Sequence, residues 1–174
     1  MSVHIKLTGH LYDDIVEDLE RPHPFAEERV GFVFGRMTSL SDGAWLILLA
    51  RYRSIPDDQY IKDQTVGARI GKEALVWAMQ AVYYGRATRE GIFHIHIHPY
   101  KGEPNMSRVD RRDLPKLIPG FQSVGSEAPH GIIILSSNHG AGWVWLPENR
   151  EPVIADTIGV IGVPLNVFER RILK

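Results

Sequence analysis

Two histidines set two residues apart, His96 and His98, close an apolar run. They are followed by Pro99 and then by a Ser-x-x-Asp stretch, Ser107 to Asp110. No other pattern in the 174 residues constrains the fold as much. Side chains alternate faces along a strand, so in the run Gly91 to His98 both imidazoles stand on one face. Asp110 lies twelve residues beyond His98. It can join them only if the chain turns back after Pro99 and brings a carboxylate to that face. Two imidazoles and one carboxylate, His96, His98 and Asp110, make a three-ligand site for a divalent metal. The fourth tetrahedral position stays open, as in catalytic rather than structural zinc sites. The chemistry this points to is metal-assisted hydrolysis. An isolated His-x-His pair is an ordinary strand feature; the proline and the Ser-x-x-Asp beside it change the reading. His94 continues the alternation, as a fourth ligand, a core histidine or a group that orients a ligand.

Composition narrows the alternatives. The chain has no cysteine, which excludes disulfides, thiolate-ligated zinc and a thiol nucleophile, and fits a reducing cytosol. A formal net charge of −1 supplies no drive toward nucleic acid or a membrane surface. No start resembling a signal peptide and no apolar run of spanning length is visible, so the expectation is a soluble, cytoplasmic protein. With 44% hydrophobic and 24% charged residues, positions 1–174 read as one globular domain.

Along the chain, Val3 to Leu7 alternates and reads as an edge strand. Leu11, Ile15 and Leu19 predict a helix over Gly9 to Glu20, N-capped by Thr8 and ended by Arg21-Pro22-His23-Pro24. Glu28 to Gly35 and Ala44 to Ser54 read as paired strands joined through Ser41-Asp42-Gly43. Ile55 to Gln64 reads as a loop. Val66 to Tyr84 is the longest helical pattern, with Ile70, Ala74, Trp77 and Ala81 on one stripe. Strands follow at Gly91–His98, Ile132–Ser136 and Gly142–Leu146, and a short helix within 109–118 precedes Pro119-Gly120. The order β-α-β-β-α-β-(α)-β-β predicts an α+β domain with a mixed, largely antiparallel sheet flanked by helices. Residues 150 to 174 carry an apolar pattern that can complete the sheet or dock a partner, packing within the domain being the expectation.

A hydrolytic metal site also needs a proton shuttle. Glu103 sits in a Gly/Pro loop without support. Glu28 stands just before an apolar strand, where a charge is unexpected, but position alone leaves it equally a solvated residue beside Glu27. Ser107 reads either as a helix cap or as an oxyanion donor beside the metal. A serine nucleophile is disfavoured by the absence of a Gly-x-Ser-x-Gly elbow, and no phosphate-binding glycine loop is present.

Taken together, Glu28 before Val30-Gly31-Phe32-Val33-Phe34-Gly35, then His96-Ile97-His98-Pro99, then Ser107 to Asp110, resemble the JAB/MPN (JAMM) zinc metalloproteases. Element order matches from about Val3 to about Leu146. The resemblance implies a single JAB/MPN-like domain in which His96, His98 and Asp110 bind zinc. Glu28 would be the general acid/base, and Ser107 would stabilise the tetrahedral intermediate. It implies hydrolysis of isopeptide or peptide bonds, commonly after the C-terminus of a ubiquitin-like protein. The small size is similar to the compact prokaryotic branch, whose members accompany conjugation and anti-phage defence systems. Ile97 departs from the small residue usual between the histidines. The competing readings are a non-catalytic MPN-type scaffold and a metallopeptidase acting on another small peptide.

Overall fold

The computed structural model describes residues 1–22, 27–63, 67–147 and 149–170. The expectations resting on His23, Pro24, Gln64, Val66 and 171–174 lie outside the described residues. Strand β1 (Val3–Thr8) buries Val3, Ile5 and Leu7 on one face. It runs into α1 (Gly9–Leu19), where the Thr8 hydroxyl accepts the Leu11 N–H at 3.3 Å, the predicted cap. Leu11, Ile15 and Leu19 are the buried stripe of that helix. Strands β2 (Val30–Ser39) and β3 (Trp45–Ser54) form a hairpin whose turn includes Gly43 at φ +81°, a conformation that suits glycine. Helix α2 (Lys72–Gly85) leads to β4 (Gly91–His98). Short helices α3 (Arg108–Asp113) and α4 (Leu117–Val124) precede β5 (His130–Ser136) and β6 (Gly140–Trp145). The chain ends through β7 (Val153–Ile154), β8 (Thr157–Ile161) and β9 (Asn166–Glu169).

All nine strands lie in one sheet, ordered β7-β6-β5-β4-β2-β3-β1-β8-β9. It is mixed: β1 is parallel to β3 and β8, β4 is parallel to β5, and the other pairs are antiparallel. The fold is therefore α+β, as the element order predicts. Only Ala155 and Asp156 separate β7 from β8, yet β7 stands at one end of the order and β8 is next to last at the other. The sheet must curl until its ends nearly meet. Ala155 N–H donates to the Gly142 carbonyl and Asp156 N–H to that of Val3, both at 2.8 Å, while the Asp156 carboxylate accepts the Val3 N–H.

The curl makes two cores. The inner one packs Ile5, Ile15, Val33, Ile47, Phe93, Ile133 and Ile158 around α1. The outer one packs α2 and α4 over the opposite face of β2, β4, β5 and β6, through Phe32, Phe34, Ala78, Ile92, Phe121 and Ile134. Burying each large apolar side chain contributes about 1.5–3 kcal/mol, so both layers hold the central strands firmly. No helix among the described residues is long and apolar enough to cross a membrane.

Four local expectations are corrected. β1 is not an edge strand, because β8 pairs with its free side; the apolar residues after Arg150 complete the sheet at both ends. The long helix begins at Lys72, since the preceding backbone is committed elsewhere. Arg69 O accepts the Ile61 N–H, Gly71 N–H reaches Gln59 O, and Tyr60 bridges Ile70. The buried stripe is thus Ala74, Ala78 and Val82, with Ile70, Trp77 and Ala81 packed partly against the core. The helix predicted within 109–118 is two helices joined by a 3-10 turn, and α4 runs through Pro119. Proline is tolerated there because N–H groups of a first helical turn have no intrahelical partner to lose. Finally, the Glu28–Gly35 strand starts at Val30, which leaves Glu28 in the approach to the sheet.

Candidate metal centre

β4 lies between β2 and β5 near the middle of the sheet, with His96 paired to Val30 and to Ile134. Its even positions face the outer layer, so His94, His96 and His98 form a buried ladder there. The Nε2 atoms of His96 and His98 are 3.1 Å apart. Two such nitrogens share either one hydrogen bond or one cation.

Two carboxylates approach this pair. Asp110 is set by a capping box at the start of α3: Ser107 Oγ accepts the Asp110 N–H at 3.1 Å, and Asp110 Oδ2 accepts the Ser107 N–H at 2.7 Å. The same Oδ2 stands 3.7 Å from His96 Nε2 and 3.5 Å from His98 Nε2. Glu28 comes from the other side, its Oε1 3.9 Å from His98 Nε2. Glu28, His96 and His98 each offer a ligand atom within 4.8 Å of the others, a group that can hold a metal ion. Donors about 2.0–2.1 Å from a tetrahedral zinc lie about 3.3 Å from one another. The His96–His98–Asp110 separations match that spacing more closely than the Glu28 distance does.

Glu28 owes its place to its neighbours in sequence. Arg29 is almost fully buried and donates to the carbonyls of Arg21 and Pro22 and to Asp57. The Tyr60 hydroxyl engages both the N–H and the carbonyl of Val30 at 3.0 and 2.9 Å. Glu28 N–H donates to the Gly67 carbonyl at 2.8 Å. A Cβ at Gly67 would fall 2.5 Å from Glu28 Oε2. Gly67→Ala is therefore expected to keep the fold and the histidine cluster but push the carboxylate aside by roughly 0.5–1 Å, to restore van der Waals contact. A crystal structure of the variant checks this, and an unmoved carboxylate would refute the packing described.

The groups shift one another's ionisation. Burial raises the Glu28 carboxyl, although His96 and His98 oppose it. Burial also works against charge on Asp110, but the facing His96 and His98 imidazoles and Ser107 prevail, holding it well below the usual carboxylate range. Asp110 in turn raises the His98 pKa against the effect of burial. His94 is fully buried, and burial with His96 beside it lowers its pKa to about 3. It stands edge-on to Phe32 and takes no place in the donor group, which favours the core reading over a fourth ligand.

The cluster forms part of the lining of a cleft of about 650 Å³, which His94, His96, Glu28, Ser107 and Asp110 share with Leu75 and Leu117. Thus the structure brings Glu28, His96, His98, Ser107 and Asp110 to one place from three separate segments. Sequence reasoning missed Gly67, Arg29 and Tyr60, which position Glu28, and Tyr100, whose hydroxyl meets His98 Nδ1 at 3.1 Å. The one available signal was Tyr100's place two residues after His98.

No protein-family model matches the chain, and no curated protein does. Among solved structures, the Trichoplax adhaerens STIL N-terminal domain is similar over 80% of this chain at 11% identity and a TM-score of 0.34. The chain spans 40% of that neighbour's length. A likeness that slight says nothing about activity.

Proposed function

We propose that this chain is a JAB/MPN-type zinc hydrolase that cleaves the isopeptide or peptide bond following the C-terminus of a ubiquitin-like protein or its conjugate. One observation carries the reading: two imidazole Nε2 atoms and the Asp110 carboxylate converge at ligand–ligand spacing, with a second carboxylate, Glu28, just beyond them, beside a cleft that His96, Asp110 and Glu28 line. In this reading His96, His98 and Asp110 hold the metal. Zinc, when bound there, supplies Lewis acidity and water acidified to a pKa of about 7. Glu28, with its carboxyl pKa raised by burial, is suited to take a proton at its carboxylate and return it to the leaving amine. Ser107, read from the sequence as either a cap or an oxyanion donor, is the cap, and in this reading its hydroxyl hydrogen also serves the second role. The cap uses a lone pair of its oxygen, which leaves the O–H free to donate to a developing oxyanion. The absence of cysteine and the near-neutral charge suit a reducing, cytoplasmic setting and a protein substrate rather than nucleic acid.

Elemental analysis of the purified protein is the first test, because it needs no knowledge of the substrate. About one zinc per chain is expected. Zinc-loaded protein should then release a lysine-linked peptide from the C-terminus of at least one member of a panel of ubiquitin-like proteins. Zinc without cleavage of any such substrate would favour the other-peptide reading. Protein that takes up no metal even when zinc is supplied would leave the scaffold as the better account.

A further inference from the structure

We infer that Tyr100 is a positioning residue for the metal centre: its hydroxyl fixes the tautomer and orientation of His98 and ties that ligand to the loop that delivers Asp110. This rests on the metal-centre reading above. His98 turns Nε2 toward His96, Asp110 and Glu28, and turns Nδ1 toward Tyr100 Oη at 3.1 Å. An imidazole that presents the Nε2 lone pair to a cation carries its proton on Nδ1, and that proton then donates to Tyr100 Oη. His96, the partner ligand, has no hydrogen-bond partner on its own Nδ1. The two imidazoles thus differ at the remote nitrogen: that of His96 is buried without a hydrogen-bond partner, and that of His98 meets a specific acceptor.

Tyr100 is itself anchored at three points. Its N–H donates to the His98 carbonyl at 2.9 Å, its carbonyl accepts the Ser137 N–H at 3.0 Å, and its ring lies 5.3 Å from that of His98. Its Oη also accepts the Asn105 N–H at 3.4 Å. Asn105 Oδ1 accepts the N–H of Met106, whose side chain is buried in the outer core beside Ser107. One hydroxyl therefore joins a ligand at the end of β4 to the far limb of the loop that ends in the α3 capping box. Groups that hold the remote nitrogen of a ligating histidine typically set about 10–100-fold in metal affinity.

The test is Tyr100→Phe, which keeps the ring and removes only Oη. The residue is 44% exposed, so the change leaves no buried cavity. Zinc affinity, read by competition with a chromophoric chelator, should fall about 10–100-fold. The visible spectrum of the cobalt-substituted protein should change, and the melting temperature of the metal-free protein should not. In a His98→Ala background, Tyr100→Phe should have no further effect on affinity, because the imidazole it acts through is gone. Equal affinity and an identical cobalt spectrum would overturn the inference while leaving the metal centre standing. An equal loss in the presence and absence of His98 would also overturn it, by showing a merely structural role. Wild-type protein that binds no metal would overturn the underlying reading and this inference together.

Discussion

Replacing His98 by alanine is expected to abolish stoichiometric zinc. Binding free energies of about 10–16 kcal/mol across four structural zinc ligands amount to roughly 2.5–4 kcal/mol per ligand, so losing one of three should weaken binding about 10²–10³-fold. The effect has a thermodynamic counterpart. A ligand at 100 times its Kd stabilises the folded state by about 2.7 kcal/mol, so wild-type protein should melt higher when zinc is added, and the variant should not. Affinity should also fall as pH drops. Asp110 holds the His98 pKa above its ordinary value, and an imidazole must lose its second proton before it can bind a metal. The zinc-dependent rise in melting temperature therefore shrinks from neutral pH downward. An undiminished rise in His98→Ala would place the metal elsewhere.

Glu28→Gln separates binding from chemistry. The substitution is isosteric and leaves His96, His98 and Asp110 untouched, so zinc content should stay near that of the wild type. What disappears is the capacity to accept a proton, and kcat/KM on a cleavable substrate should fall roughly 10²–10⁴-fold. The pH profile carries the sign. The carboxyl must be ionised to act as a base, so wild-type rate rises with pH through the Glu28 pKa, which burial places above the ordinary glutamate range. That acidic limb should vanish in the variant. Equal loss of zinc and activity would instead make Glu28 a ligand, the alternative that its position within 4.8 Å of both histidine nitrogens keeps in view.

The two limbs of the site were unequally legible in the sequence. Alternation alone places His96 and His98 on one face, and a Ser-x-x-Asp is by itself a helix start, which is why α3 presents Asp110 as it does. Glu28 was a matter of resemblance, since no periodicity links it to a histidine 68 positions away. The link runs through a buried arginine, a tyrosine hydroxyl inserted at Val30 and the bare Cα of Gly67. Such contacts depend on the packing of distant segments and leave no local pattern. The same limit explains the strand and helix boundaries. Val3 to Leu7 has the alternation of a half-buried strand whether or not a later segment covers its edge. The helical stripe from Ile70 also continues in sequence across residues whose backbone groups the fold uses elsewhere.

The curl of the sheet bears on the order in which the chain can assemble. β2, β3, β4, β5 and β6 pair among themselves, and with α3 they carry the histidine and aspartate limbs entirely within residues 30–145. β1, by contrast, waits for β8, which pairs with it from the far end of the sequence, His4 against Thr157. Contacts so distant in sequence form late, because the intervening chain must be ordered first. As the polypeptide emerges from the ribosome, the half that carries His96, His98 and Asp110 can come together while one side of β1 is still unpaired. Until β8 follows, Val3, Ile5 and Leu7 belong to an open edge of the kind that draws strands from other molecules.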